Sequence, residues 1–282
     1  METMTTNYPS LTPEEKWEQA TLANNFIFYK VMRNHQDACK QLLEMLLGIK
    51  IESIEMKQEE TIALDYDSKG IRLDVFVKDT GRMFDVELQV ANTKELPERA
   101  RYYQGVMDVD TLKAGQKYKE LRDSHIIFIC LEDVFKNGLP VNTFANICLE
   151  DKKTKFGDRT YKHFFFAPLC AKMIEEKEVK AFFEFLISNQ ASSSYTDELK
   201  NYVADAKQST ENKMQFMTWE RQRAYDLDAG REEGIAIGAQ QKAVEAAENM
   251  MKKNYPVDDI CEITGLSLEQ VLEIKEKITV KM

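Results

Sequence analysis

Apolar and polar positions alternate most clearly over residues 71–90, IRLDVFVKDTGRMFDVELQV. Strand side chains point to opposite faces with period two. Ile71, Leu73, Val75 and Val77 therefore fall on one face of a first strand, with Arg72 and Asp74 on the other. Phe84, Val86, Leu88 and Val90 form the apolar set of a second strand, opposed by Asp85, Glu87 and Gln89. Lys78-Asp79-Thr80-Gly81-Arg82 supplies a turn, with Gly81 available for a positive φ. Alone, this hairpin fits an antiparallel sheet with one solvated face.

The pattern elsewhere adds helices and strands around the hairpin. Thr12 caps a helix that opens on Pro13, with acids in its first turn. Gln36 to Leu47 is amphipathic, with Ala38, Leu42, Leu43, Leu46 and Leu47 on one face and Gly48 at its end. Ile51 to Glu60 reads as a more polar strand nearer a sheet edge. Pro97 to about Tyr118 reads as a helix on which Arg99, Tyr102 and Tyr103 share a face. His125 to Leu131 is a continuous apolar run, the mark of a fully buried strand. The helix before it is long enough for a crossover to a parallel partner. Thr143 to Leu149 and Tyr161 to Pro168 are strand-like, Glu175 to Ser188 is helical, and the polar run 189–194 reads as a loop or linker. Beyond residue 195 the chain is helical and charged. Gly230, Gly234 and Gly238 recur every four residues, which suits either close helix approach or a flexible joint. The segment 256–271 has the shape of a helix-turn-helix, with Ser267 capping its second helix. That helix carries Glu269, Glu273 and Glu276, so packing or oligomerisation suits it better than groove reading.

Composition narrows the class. The 282 residues are 43% hydrophobic, enough for one sizeable core or two modest domains. No apolar run approaches the roughly 20 residues that span a bilayer, and the N-terminus has no secretory pattern. Five widely spaced cysteines without a CxxC pair read as reduced thiols in a cytoplasmic protein. The three histidines show no metal-ligand spacing. A net charge of −10, divided about evenly at residue 190, excludes a broad basic nucleic-acid footprint. It leaves room for a local groove, and Lys152, Lys153, Lys155 and Arg159 form a small positive patch in what reads as a solvated hairpin loop.

Asp74, Asp85 and Glu87 gather on one face of the hairpin and repel one another unless a positive group sits among them. A divalent metal is the usual answer. Glu44 is either a solvated helix position or a further metal carboxylate offered from a helix beside the sheet.

Asp74 followed after twelve residues by Glu87-Leu88-Gln89 resembles the PD-(D/E)XK nuclease superfamily, with Gln in place of the usual Lys. More narrowly, the chain is similar to the Rpn family of recombination-promoting nucleases, whose members are often labelled transposases. Phe26-Ile27-Phe28-Tyr29-Lys30, Arg72-Leu73-Asp74, Val86-Glu87-Leu88-Gln89, the Arg99–Gln104 helix, Gly115-Gln116-Lys117-Tyr118 and the Gly-periodic tail through Ile263-Thr264-Gly265-Leu266-Ser267 carry this resemblance. Asn25 departs from it, since relatives often have Asp there. The resemblance implies an α/β, restriction-endonuclease-like mixed sheet flanked by helices, with a helical C-terminal region. The nuclease-like domain would span residues 1–190 and the helical region 191–282. The implied activity is Mg²⁺-dependent DNA endonuclease chemistry, with Mn²⁺ or Ca²⁺ as alternative ions, linked in bacteria to DNA recombination or mobile elements. Asp74 and Glu87 would be metal ligands, the Leu88 carbonyl a third, and Gln89 would orient the water and the phosphate. Because a neutral amide cannot stabilise developing negative charge as an ammonium does, the alternative is a weakly active or inactive DNA-binding or scaffolding module. Arg72 would clamp phosphate or neutralise Asp85. Arg99 and Tyr103 would contact the DNA backbone or serve packing and salt bridging. A homodimer through the C-terminal helices would suit double-strand cleavage, and no membrane partner is expected.

Overall fold

The computed structural model describes residues 11–56, 61–62, 71–72, 75–79, 81–91 and 94–280. The chain divides into two compact units, Met1–Phe216 and Met217–Met282.

Three helices open the first unit. In α1 (Pro13–Gln19) the Thr12 hydroxyl accepts the Glu15 N–H and the Glu15 carboxylate returns to Thr12, a reciprocal capping box. The Asn24 side chain caps α2 (Asn25–Asn34). Helix α3 (Gln36–Leu47) ends on Gly48, whose φ of +64° is the left-handed conformation that a side chain disfavours. The strands follow: β1 (Glu55–Met56), β2 (Thr61–Ile62), β3 (Ile71–Arg72), β4 (Val75–Lys78) and β5 (Arg82–Gln89). Helix α4 (Leu96–Thr111) then crosses to β6 (Asp123–Cys130), and β7 (Val141–Phe144) and β8 (Thr160–Phe166) complete the strands. Helices α5 (Ala167–Met173), α6 (Lys177–Ser188), α7 (Ser194–Gln208) and the start of α8 (Thr210–Lys252) close this unit.

The main sheet has the order β1-β4-β5-β6-β8-β7, with β2 and β3 paired separately. Strands β5, β6 and β8 run parallel, whereas β4 is antiparallel to β5. The buried run 125–131 is thus a central parallel strand, as its unbroken apolarity predicts, and β1 lies at an edge. One sheet face packs Phe76, Met83, Ile126, Phe128 and Phe164 under Leu96, Ala100, Tyr103, Val106 and Met107 of α4. The other face buries Val75, Val77, Phe84, Val86 and Leu88.

Several expectations change here. The face of β5 that alternation makes polar is not solvated: α4 covers it, and Asp85 and Glu87 are 0% and 3% exposed. Of the strand expected over 71–77, Ile71–Arg72 pair with β2, and Val75–Lys78 pair with β5. Helix α4 stops at Thr111, where the Thr111 hydroxyl turns back to the Met107 carbonyl at 2.8 Å. Gly115, at φ +87°, then reverses the chain before the short 3-10 turn Tyr118–Glu120. Strand β8 gives way at Phe166 because Pro168 sits in the first turn of α5, where its missing N–H costs nothing.

In the second unit, α9 (Val257–Thr264) and α10 (Leu268–Val280) pack around Ala247, Ile260, Leu266, Val271 and Ile274. Gly265 turns the chain at φ +71°, and the Ser267 hydroxyl accepts the Gln270 N–H at 3.3 Å. Gly230, Gly234 and Gly238 lie within the unbroken helix α8, with open space where a Cβ would be. Among the described residues no helix is long and apolar enough to cross a membrane.

Candidate active site on the fifth strand

Period two puts Glu87 and Gln89 on the same face of β5, near its C-terminal end, opposite Phe128 and Cys130 of β6. Helix α4 begins seven residues after Gln89, at Leu96, and runs back across this face. Arg99 and Tyr103 stand one turn apart on it, and so point the same way. The Arg99 guanidinium bridges the strand residues. Its Nη2 donates to Glu87 Oε2 at 2.8 Å and to Tyr103 Oη at 3.0 Å, and its Nη1 donates to Gln89 Oε1 at 2.9 Å. The guanidinium also lies over the rings of Tyr103 and Phe128, at 5.3 and 5.6 Å from their centroids. The Gln89 amide nitrogen donates to the Ala91 carbonyl, which fixes the amide oxygen toward Arg99. Burial, reinforced by the Glu87 charge, pushes the Tyr103 hydroxyl up to about 12, so it stays protonated as a hydrogen-bonding group.

The structure thus brings Glu87, Gln89, Arg99 and Tyr103 together. Asp85, also on this face, faces Phe76 and Ile126 beneath α4. Leu88 is buried on the opposite face, which leaves only its carbonyl for the role expected of it. Glu44 lies at the end of α3, its Oε1 accepting the Ile51 N–H at 2.7 Å. The backbone of Arg72 belongs to β3, paired with Thr61. The Arg72 side chain and Asp74 lie outside the described residues. Among the described residues no three of His, Cys, Asp and Glu converge as a metal site. The donors present, a carboxylate and a side-chain amide oxygen, are hard oxygen ligands of the kind Mg²⁺ and Mn²⁺ take, so their chemistry fits such an ion.

Sequence spacing hides two features. The Arg99–Glu87 ion pair joins residues twelve apart on different elements, and only the i,i+4 match of Arg99 and Tyr103 hints at a shared target. His125 and His163 stand 38 residues apart, yet the parallel β6–β8 register sets His125 Nδ1 3.1 Å from His163 Nε2. Thr143 Oγ1 lies 3.0 Å from the other His163 nitrogen. Burial first, and then a neighbouring positive or titrating group, pulls both imidazoles down to about 4.

A six-stranded mixed sheet with a parallel centre, a crossover helix and an acid-amide pair at the end of β5 is the architecture of a restriction-endonuclease-like α/β protein. A family model described as PD-(D/E)XK nuclease family transposase matches residues 24–229, and the chain belongs to that family. Membership supports a nuclease- or transposase-like role, and nucleases of this family generally use divalent metals. No curated protein and no solved structure matches the chain.

Proposed function

We propose that this protein is a metal-dependent DNA endonuclease that hydrolyses phosphodiester bonds, acting in DNA recombination or mobile-element biology. The observation that carries the reading is the bridge of Arg99 across Glu87 and Gln89, a carboxylate, an amide and a cation held on one strand end. In this reading Asp74, Glu87 and the Leu88 carbonyl would hold a Mg²⁺ or Mn²⁺ ion, which would supply polarisation of the phosphate and a lowered pKa for an attacking water. Gln89 would orient a water and the phosphate through its amide. Arg99 and Tyr103 offer N–H and O–H donors to a non-bridging phosphate oxygen, and Arg72 adds a further cation. The Phe128 ring and α4 limit water around Glu87, which strengthens each of these polar contacts. In this reading residues 1–190, with α7 and the start of α8 packed against them, form the nuclease module of a cytoplasmic protein, and the C-terminal helices offer a homodimer surface.

Nicking of supercoiled plasmid in Mg²⁺, Mn²⁺ or Ca²⁺ tests the reading. Glu87→Ala and Asp74→Ala are expected to abolish cleavage, and unchanged cleavage in either sinks the assignment. A second reading, a DNA-binding or scaffolding protein that retains the fold with little catalysis, draws on the neutral Gln89 at the lysine position. It predicts DNA retention without cleavage in any of the three ions.

A further inference from the structure

Glu87 lies near the C-terminal end of the β5–β6 ladder and its side chain is 4% exposed, whereas the Arg99 side chain is 30% exposed. A carboxylate so buried must be neutralised in place, because an uncompensated buried charge is strongly unfavourable. Arg99 meets that need through the 2.8 Å bond from Nη2 to Oε2. The two partners are unequal in freedom. Glu87 is fixed to a central strand, while Arg99 reaches down from a helix with solvent along one side.

We propose that Arg99 is a resident counter-cation of this site and competes with the divalent metal for Glu87, so that metal binding is linked to withdrawal of the guanidinium toward solvent. The inference rests on the metal-site reading above. A metal bound to the Glu87 carboxylate would share that group with a guanidinium already bonded to it at 2.8 Å. The two cations repel inside a partly buried site. A guanidinium that leaves Glu87 carries its donors to the nearest anion, and a DNA phosphate fits its planar fork. Linkage then makes the coupling reciprocal: phosphate that draws Arg99 away tightens metal binding, and metal that displaces Arg99 tightens phosphate binding.

Calorimetric titration of the full-length protein with Mn²⁺ tests this, alone and with a short DNA duplex present. Arg99→Gln is expected to bind Mn²⁺ roughly tenfold more tightly than wild type, within the range of ordinary coupling free energies. Arg99→Lys, which keeps the charge but loses the fork, is expected to fall between them and guards against a folding defect in the first variant. Duplex should tighten Mn²⁺ binding more in wild type than in Arg99→Gln, which has no guanidinium to draw away. Equal or weaker Mn²⁺ binding by Arg99→Gln overturns the inference, since it shows a guanidinium that merely holds Glu87 in place. Glu87→Gln separates the two levels. If it abolishes Mn²⁺ binding while the Arg99 variants match wild type, only the inference fails. If Mn²⁺ binding is indifferent to Glu87→Gln, the metal-site reading falls and the inference with it.

Discussion

Arg99 donates to the Gln89 amide oxygen at 2.9 Å, so the charge at position 89 is felt at once by the guanidinium. Gln89→Lys, which restores the residue usual in the superfamily, would set an ammonium against that guanidinium. We expect it to destabilise the fold by about 1 kcal/mol, the scale of a partly screened charge contact. Adding Arg99→Gln should remove that repulsion, so a double-mutant cycle by chemical denaturation should show a coupling of the same size. A cycle with no coupling would contradict the geometry. Glu87 and Gln89 were legible in the sequence, because period two and the Glu-x-Gln spacing need only local order. The guanidinium between them was not. Its charge arrives from α4, and nothing in a local pattern states which strand residue a helix side chain will reach.

Strands β5, β6 and β8 align a stack of rings, Phe84 on His125 at 5.2 Å and His125 on Tyr161 at 5.0 Å. The His125–His163 hydrogen bond lies within it. Both imidazoles are lowered from 6.5 to about 4, so between those values the unfolded chain takes up protons that the native sheet refuses. Stability therefore stays full above pH 6.5 and falls as pH drops toward 4. Complete titration of one such group amounts to about 3 kcal/mol. Thermal melts across this range should show the loss, and His163→Gln should flatten it relative to wild type. Parallel acid limbs would exclude the pair as its source. The sequence showed β6 as a buried strand through its apolar run, but parallel register is set by the crossover and by β8, and so the histidine pair stayed hidden.

At the scale of the whole chain, the first unit is completed by elements far along the sequence. The Tyr195 hydroxyl donates to the Ala38 carbonyl at 2.8 Å, and the Lys207 ammonium donates to the Glu18 carbonyl at 2.7 Å. Phe216, fully buried near the start of α8, meets Trp17 at 5.2 Å and Phe26 at 5.5 Å. Phe216→Ala is expected to cost on the order of 3 to 5 kcal/mol, as removal of a buried ring does, read as a lower denaturant midpoint with an unchanged slope. A variant within experimental error of wild type would show that this ring is not part of the core. The polar run 189–194 marks a loop that extends to Ser193, which caps α7 at Ser194. That α7 then buries Tyr195 and Leu199 is a long-range outcome that loop composition does not encode.

The ion pair between Arg99 and Glu87 also bears on the order in which the protein matures. In many metalloproteins the ion completes the fold, so chelators unfold them. Here a side chain from the chain itself balances Glu87 at 2.8 Å. The polypeptide can therefore finish folding before any ion arrives. EDTA is expected to leave the melting temperature unchanged, whereas a drop on chelation would mean that the ion is a structural part. A newly made chain would thus reach its folded state with Glu87 already paired to a side chain of its own.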